Sequence, residues 1–216
     1  MPDLTIAEEV VLLALDGTSG AGKLRLGLDY AVAGAVIVEL ALAQRIDVDD
    51  DDVITVLDAA PTGIAHLDAE LDKVVRGGGM KVGKALRRTH KSALDRTVAA
   101  LVDRGVLRRR TKRILGIFPV RRYPAAEWTT GAELRTRLSD AVRHGHQPDE
   151  RTAALIGVLN AGKLWSKALP GRDRKRVKAR MAEIADGQAV SPSVRRAVVR
   201  TQGAIIAMAA AASSGH

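Results

Sequence analysis

Apolar residues recur at three- and four-residue spacing through most of this chain, and the pattern predicts helices joined by polar turns. Thr5-Ile6-Ala7-Glu8 has the T-x-x-E form of a capping box, so Thr5 should cap a helix running through Leu15. Residues 16–23 are a turn-rich loop. Asp29 opens a second helix over 30–44, whose apolar residues cover most of its circumference, marking it as the central core helix. An acidic, solvated turn over 47–52 and a short β-like run over 53–57 follow, and Pro61-Thr62-Gly63 makes a turn. Leu67, Leu71 and Val74 share one face of a helix over 66–75, and Gly77-Gly78-Gly79 is a hinge. In the next helix Leu86, Leu94, Val98, Leu101 and Val102 form the apolar face, which ends at a basic turn and a capping glycine, Arg104-Gly105. The β-branched residues of 106–123, with Gly116 near the middle, predict a β-hairpin. Beyond it Thr130 caps a helix through Val142, Asp149 caps one through Leu159, and Asn160-Ala161-Gly162 interrupts. A helix of alternating charge spans 172–185, and Ser191-Pro192 opens the last, 194–212. Its Ala-rich end, 207–212, reads as a buried or frayed terminus with side chains too small to anchor in a membrane.

Composition narrows the class. With 46% hydrophobic residues and only 2% aromatic, the core must be built from Leu, Val, Ile and Ala, which suits packed helices. The absence of cysteine excludes disulfides and Cys-ligated zinc and is compatible with the cytoplasm. The N-terminus lacks the basic region of a signal peptide, and no apolar run reaches the roughly 20 residues that span a bilayer. The longest, 31–43, is broken by Glu39. The heavy use of Ala, Arg, Val and Asp points to a GC-rich, bacterial genome.

Charge changes the picture more. Residues 81–123 hold fourteen Lys and Arg against Asp95 and Asp103 only, while the whole chain is +9, so everything outside this stretch is net negative. Lys84, Arg87, Arg88 and Lys91 follow i, i+3, i+4, i+7 spacing and share one helix face. With Arg25 they are the candidate anion-binding residues. The hairpin adds a second signal: Ile114, Leu115, Ile117 and Phe118 gather at its tip, flanked by Arg113 and Arg121. An apolar tip between cationic arms suits an anionic membrane surface or a partner protein.

Other chemistry falls away on inspection. Gly17 to Lys23 approximates a P-loop, but Leu24 stands where a metal-holding Ser or Thr is required, and the alternating βα units of a nucleotide-binding sheet are missing. His144 and His146 have no carboxylate pair near them in sequence, and residues 49–52 lack the glycine and spacing of a calcium loop. No nucleophile elbow or H-E-x-x-H occurs, so neither an enzyme nor a cofactor is expected. A basic helix before a two-stranded wing has the outline of a nucleic-acid-binding winged helix, but the glycines of 77–83 isolate that helix from a helix-turn-helix partner.

Four stretches carry a family resemblance. These are the acidic-then-Leu-rich opening, residues 4–15; G-A-V-I-V-E-L-A-L-A-Q-R-I, residues 34–46; Pro61-Thr62-Gly63 with Leu67-Asp68 and Leu71; and L-V-D-R-G-V-L, residues 101–107, before the hairpin. Together they resemble the Golgi phosphoprotein 3 family, in its bacterial, actinobacterial-type form. The resemblance implies an all-α fold with a short β-hairpin and minor β segments. It also implies peripheral binding to a phosphoinositide headgroup, chiefly phosphatidylinositol 4-phosphate. Counted on this chain, the family's headgroup tryptophan and arginines fall on Leu24, Ala33, Lys91 and Leu94, of which only Lys91 is cationic.

The expectation is therefore one domain over 1–216 with the hairpin at 106–123. It would lie peripherally on the inner, cytoplasmic face of a membrane and bind anionic phospholipid or a phosphoinositide. The alternatives are an adaptor or homo-oligomerisation module that uses the hairpin, with client membrane proteins as partners, and a nucleic-acid binder, which is the less expected of the two.

Overall fold

The structure is a computed structural model that describes residues 4–15, 27–114, 118–124, 128–186 and 191–213. Its helices are α1 (Ile6–Ala14), α2 (Leu28–Leu42), α3 (Ala65–Arg76), α4 (Val82–Asp103), α5 (Trp128–Val142), α6 (Glu150–Ala161), α7 (Trp165–Ala168), α8 (Arg174–Asp186) and α9 (Pro192–Ser213). Five strands accompany them: β1 (Ile46–Val48), β2 (Val53–Val56), β3 (Met80–Lys81), β4 (Arg110–Ile114) and β5 (Phe118–Arg122). The chain is mostly helical, as its periodicity predicts.

Helix α2 is the axis. Every residue of 31–38 is buried, as are Leu28, Leu40 and Ala41, and α1, α4, α6 and α9 pack around it. Gly34 lets α9 come close, because a Cβ there would stand 2.6 Å from Thr201 Cγ2 and 2.8 Å from Ile205 Cδ1. The capping box forms as expected: Thr5 Oγ1 accepts from Glu8 N at 3.2 Å, and Glu8 Oε2 accepts from Thr5 N at 2.8 Å. Asp149 caps α6 by accepting from Thr152 N at 2.6 Å. Those hydrogen bonds and the nearby Arg137 and Arg151 outweigh its partial burial and hold its carboxyl below the ordinary range.

Three elements differ from expectation. The acidic segment is not merely a solvated turn. Ile46, Val48 and Ile54 point into the core from an antiparallel β1-β2-β3 sheet, with Ile46 opposite Val56 and Ile54 opposite Met80. Its carboxylates are engaged by α9: Arg196 reaches Asp47 at 3.1 Å, and Arg200 reaches Asp50 at 3.4 Å and Asp52 at 3.3 Å. Thr130 lies inside α5, which starts at Trp128. Helix α9 continues to Ser213 with Ala207, Ala210 and Ala211 exposed, so of the two expected states, buried or frayed, burial does not hold for these three.

The N-terminal end of α1 is buried together with charge. Glu8 is fully inaccessible and bonds Arg104 through both oxygens at 2.9 Å. Glu9 takes Arg137 at 2.8 Å, and Glu39 takes Arg151 at 2.7 Å. Glu39 also accepts from Ile6 N at 2.6 Å. Burial pushes the Glu9 carboxyl up, against the pull of Arg137. Burial works against charge on Arg151, but the hydrogen bond and charge of Glu39 outweigh it and raise its pKa. His66 closes the cluster with Nε2 3.1 Å from Thr5 Oγ1, and burial lowers its pKa although Glu8 and Glu39 oppose the shift.

Removing one partner of a buried pair costs about 3–5 kcal/mol, because the other charge is left without compensation. Arg104 is partly exposed, so Arg104→Met should cost near the lower end of that range. Adding Glu8→Gln should return part of the loss. Urea denaturation of the two single variants and the double variant checks this; additive losses would contradict it.

Candidate functional site

The candidate site is the outward face of the first half of α4. This helix has no side-chain N-cap and begins directly after β3, where Val82 N donates to Asp52 O at 2.9 Å. Val82, Ala85, Leu86, Thr89, Ala93, Leu94, Thr97 and Leu101 turn inward. Helical geometry then fixes what faces out: Lys84, Arg87, Arg88 and Lys91 are all exposed, as their spacing predicts. None of the four forms an ion pair among the described residues, and Arg87 Nη1 lies 4.0 Å from Met208 Sδ on α9. Arg25 and Leu24 lie outside the described residues.

Two cations of the basic stretch are engaged inside the fold. Arg96 is engaged by Glu70 at 2.7 Å, where Lys73 at 2.9 Å and Ser92 also meet that buried carboxylate. Arg104 is committed to Glu8. These two are structural cations, whereas Lys81, Lys84, Arg87, Arg88, Lys91, Arg108, Arg109 and Arg110 are exposed and form no ion pair among the described residues; of these, Lys84, Arg87, Arg88 and Lys91 share one helix face. Between that face and α3 lies a cleft of about 240 Å³ with Val74, Met80 and Ala85 on its walls and Lys73, Arg76 and Arg88 at its rim.

Beside Lys91, on the side of α2, sits a cluster that the sequence pattern did not single out. Tyr30 stacks on His90 with ring centroids 4.4 Å apart, and Asp29 Oδ2 lies 3.6 Å from His90 Nε2. Only an aromatic and a carboxylate just before an apolar run could have hinted at it. Ala33 and Leu94 are buried, so these two positions carry core methyl groups and no headgroup ligand.

The hairpin forms where expected, with Ile114 opposite Phe118, Arg113 opposite Pro119 and Thr111 opposite Arg121 in a two-stranded sheet of its own. Leu115 and Ile117 at the tip lie outside the described residues. No helix among the described residues is long and apolar enough to cross a membrane. His144 and His146 are exposed, and no group of three metal-ligating side chains occurs among the described residues.

The residues that carried the family resemblance hold the fold together. Glu39 clamps Arg151 and the start of α1. Arg45 pairs with Asp58 and donates to Pro61 O at 3.4 Å. Thr62 donates through both N and Oγ1 to Asp68 Oδ1 at 2.6 Å, which fixes the turn before α3.

Comparison with known proteins agrees with this pattern. The family model described as Golgi phosphoprotein 3 (GPP34) matches residues 6–201. A curated relative, vacuolar protein sorting-associated protein 74 of Eremothecium gossypii, is 29% identical over 166 residues, covering 63% of this chain. The aligned stretch covers 48% of that relative, so the chain matches about half of its length.

Proposed function

The chain belongs to the Golgi phosphoprotein 3 family, and from that premise we propose that it is a peripheral membrane protein whose α4 face docks on anionic lipid headgroups. The observation that carries this reading is the set of exposed cations Lys84, Arg87, Arg88 and Lys91 on one helix face, with no acidic side chain paired to any of them among the described residues. Each such cation near an anionic bilayer contributes about 1 kcal/mol, reduced by salt. Four together supply up to roughly a thousandfold in affinity. The surface it meets is the cytoplasmic leaflet, where anionic lipids concentrate.

Headgroup selectivity is weak in this reading. Ala33 and Leu94 are apolar and buried where the family resemblance implies arginines. Lys84 and Lys91 act as point charges without the bidentate fork that arginine offers a phosphate. Vesicles of equal charge, with and without phosphatidylinositol 4-phosphate, should therefore bind alike.

The hairpin is the second contact. Fully burying an Ile, Leu or Phe side chain is worth about 1.5–3 kcal/mol, so shallow insertion of Leu115, Ile117 and Phe118 adds to the electrostatic attraction. Its basic arms oppose close pairing of two hairpins, which favours membrane over self-association.

Replacing Lys84, Arg87, Arg88 and Lys91 together by Gln should abolish most flotation with anionic liposomes and leave the thermal midpoint nearly unchanged. Full binding at physiological salt would rule this face out. Changing Leu115, Ile117 and Phe118 to Ser should weaken liposome binding with solution mass unaltered. A fall from oligomer to monomer with lipid binding retained would make the hairpin an assembly device instead.

A further inference from the structure

Helix α8 sorts its charge along its length. Arg174, Lys175, Arg176, Lys178 and Arg180 occupy its first half, while Glu183 and Asp186 come only later. Val177, Met181, Ile184 and Ala185 are buried, and the helix packs against α5, α6 and α7. Arg176 and Arg180 stand four residues apart and therefore share one flank. That flank borders a cavity of about 320 Å³ whose opposite wall is the end of α5, with Val142, Arg143 and His144. Helix α5 stops there because Gly145 takes a left-handed φ of 79°, a conformation that glycine adopts without strain.

The three guanidinium groups at this cavity are not equally engaged. Arg143 is clamped: Nε and Nη2 donate to Asp173 at 2.8 and 3.1 Å, and Nη2 also donates to Pro170 O at 3.1 Å. Gly171 makes room for the clamp, since a Cβ there would stand 2.7 Å from Asp173 Oδ1 and 2.8 Å from Arg143 Nη2. The hydrogen bond from Arg143 holds the Asp173 carboxyl below its ordinary range, and the charge of Arg176 adds to the pull. Arg180 pairs with Glu183 at 2.7 Å. Arg176 is exposed and forms no ion pair among the described residues. Two arginines are thus held in place by carboxylates, and a third beside them has its fork open. A solvated helix face spreads its cations over a convex surface. Here arginines from two helices converge on one concavity.

We propose that this cavity binds a phosphate monoester that carries a small hydroxylated group. Guanidinium forks meet phosphate oxygens with paired N–H donors, and Arg176 supplies the charge that no acid matches. The cavity is at the lower end of the roughly 300–1,000 Å³ of small-molecule pockets, which leaves room for a short organic remainder beside the phosphate. Glu183 on its wall has its charge answered by Arg180 and is an acceptor for hydroxyl groups of that remainder. Helix α8 packs against α5, α6 and α7, and α4 against α1, α2, α3 and α9, so the site lies apart from the α4 face. That placement favours a soluble ester over a lipid headgroup, and the proposal does not depend on membrane docking through α4.

Glycerol 3-phosphate is the probe, and the ring of His144 is the reporter. In the full chain labelled at histidine, the probe should shift the His144 ring signals saturably at fixed pH and ionic strength, and leave those of the buried His66 in place. Arg176→Gln removes the open fork and no ion pair of the fold. It should keep the thermal midpoint and weaken the probe about tenfold or more, the share of a charge-assisted hydrogen bond. Lys175→Gln removes the same charge from the neighbouring position, which helical geometry turns about 100° away, and should bind the probe as the parent does. Equal losses in the two variants, or a His144 response no greater than sodium chloride gives, would overturn the site and leave α8 a solvated basic helix. Flotation on vesicles holding phosphatidic acid or phosphatidylglycerol at equal charge separates the two sources of ester. Equal binding to both lipids supports the soluble one. A preference for phosphatidic acid that Arg176→Gln abolishes would overturn it in favour of a lipid headgroup.

Discussion

The fold depends on how three carboxylates inside it are met by arginines. Glu8, Glu9 and Glu39 lie around the first turn of α1 and on α2, and each is met by an arginine from a different helix: Arg104 from the end of α4, Arg137 from α5 and Arg151 from α6. An isolated buried carboxylate would be costly, so each pair is effective only when all the helices are in place. Arg151 also donates to Leu4 O at the entrance of α1, while Thr5 meets His66 from α3. The opening turn of the chain thus becomes the point where distant segments converge, which suits a core with few aromatic residues to lock it by shape.

That economy explains what the surface is left with. Arg96, Arg104, Arg137 and Arg151 face inward to carboxylates, and Arg196 and Arg200 fasten α9 to the acidic sheet. These six arginines take up Glu70, Glu8, Glu9, Glu39, Asp47, Asp50 and Asp52. Lys84, Arg87, Arg88 and Lys91 stand together on one face with no ion pair among the described residues. The net charge of the molecule is modest compared with the local field this face presents.

Much of this was legible in the chain itself. The Thr5–Glu8 box, the Asp149 cap, the apolar circumference of α2 and the outward spacing of the α4 cations follow from local chemistry, and local chemistry is what a linear pattern records. What escaped was non-local. The ladder that makes β1 and β3 strands involves residues far apart in sequence, so 47–52 read as a solvated turn until α9 arrived to pair with it. The Tyr30–His90 stack joins α2 to α4 across sixty positions that carry no joint signal. The Ala-rich end of α9 read as buried or frayed; the packing of α2 and α4 against one side of this helix leaves Ile206 and Ala207 exposed.

Charge reversal tests the central claim most directly. Lys84, Arg87, Arg88 and Lys91 are changed together to Glu, and binding is compared on vesicles of opposite charge with the fold checked by circular dichroism. The account predicts that the parent binds anionic vesicles and ignores cationic ones, and that the folded variant inverts this preference. A folded variant that still prefers anionic vesicles would show that the membrane is met by some other surface and would contradict the account.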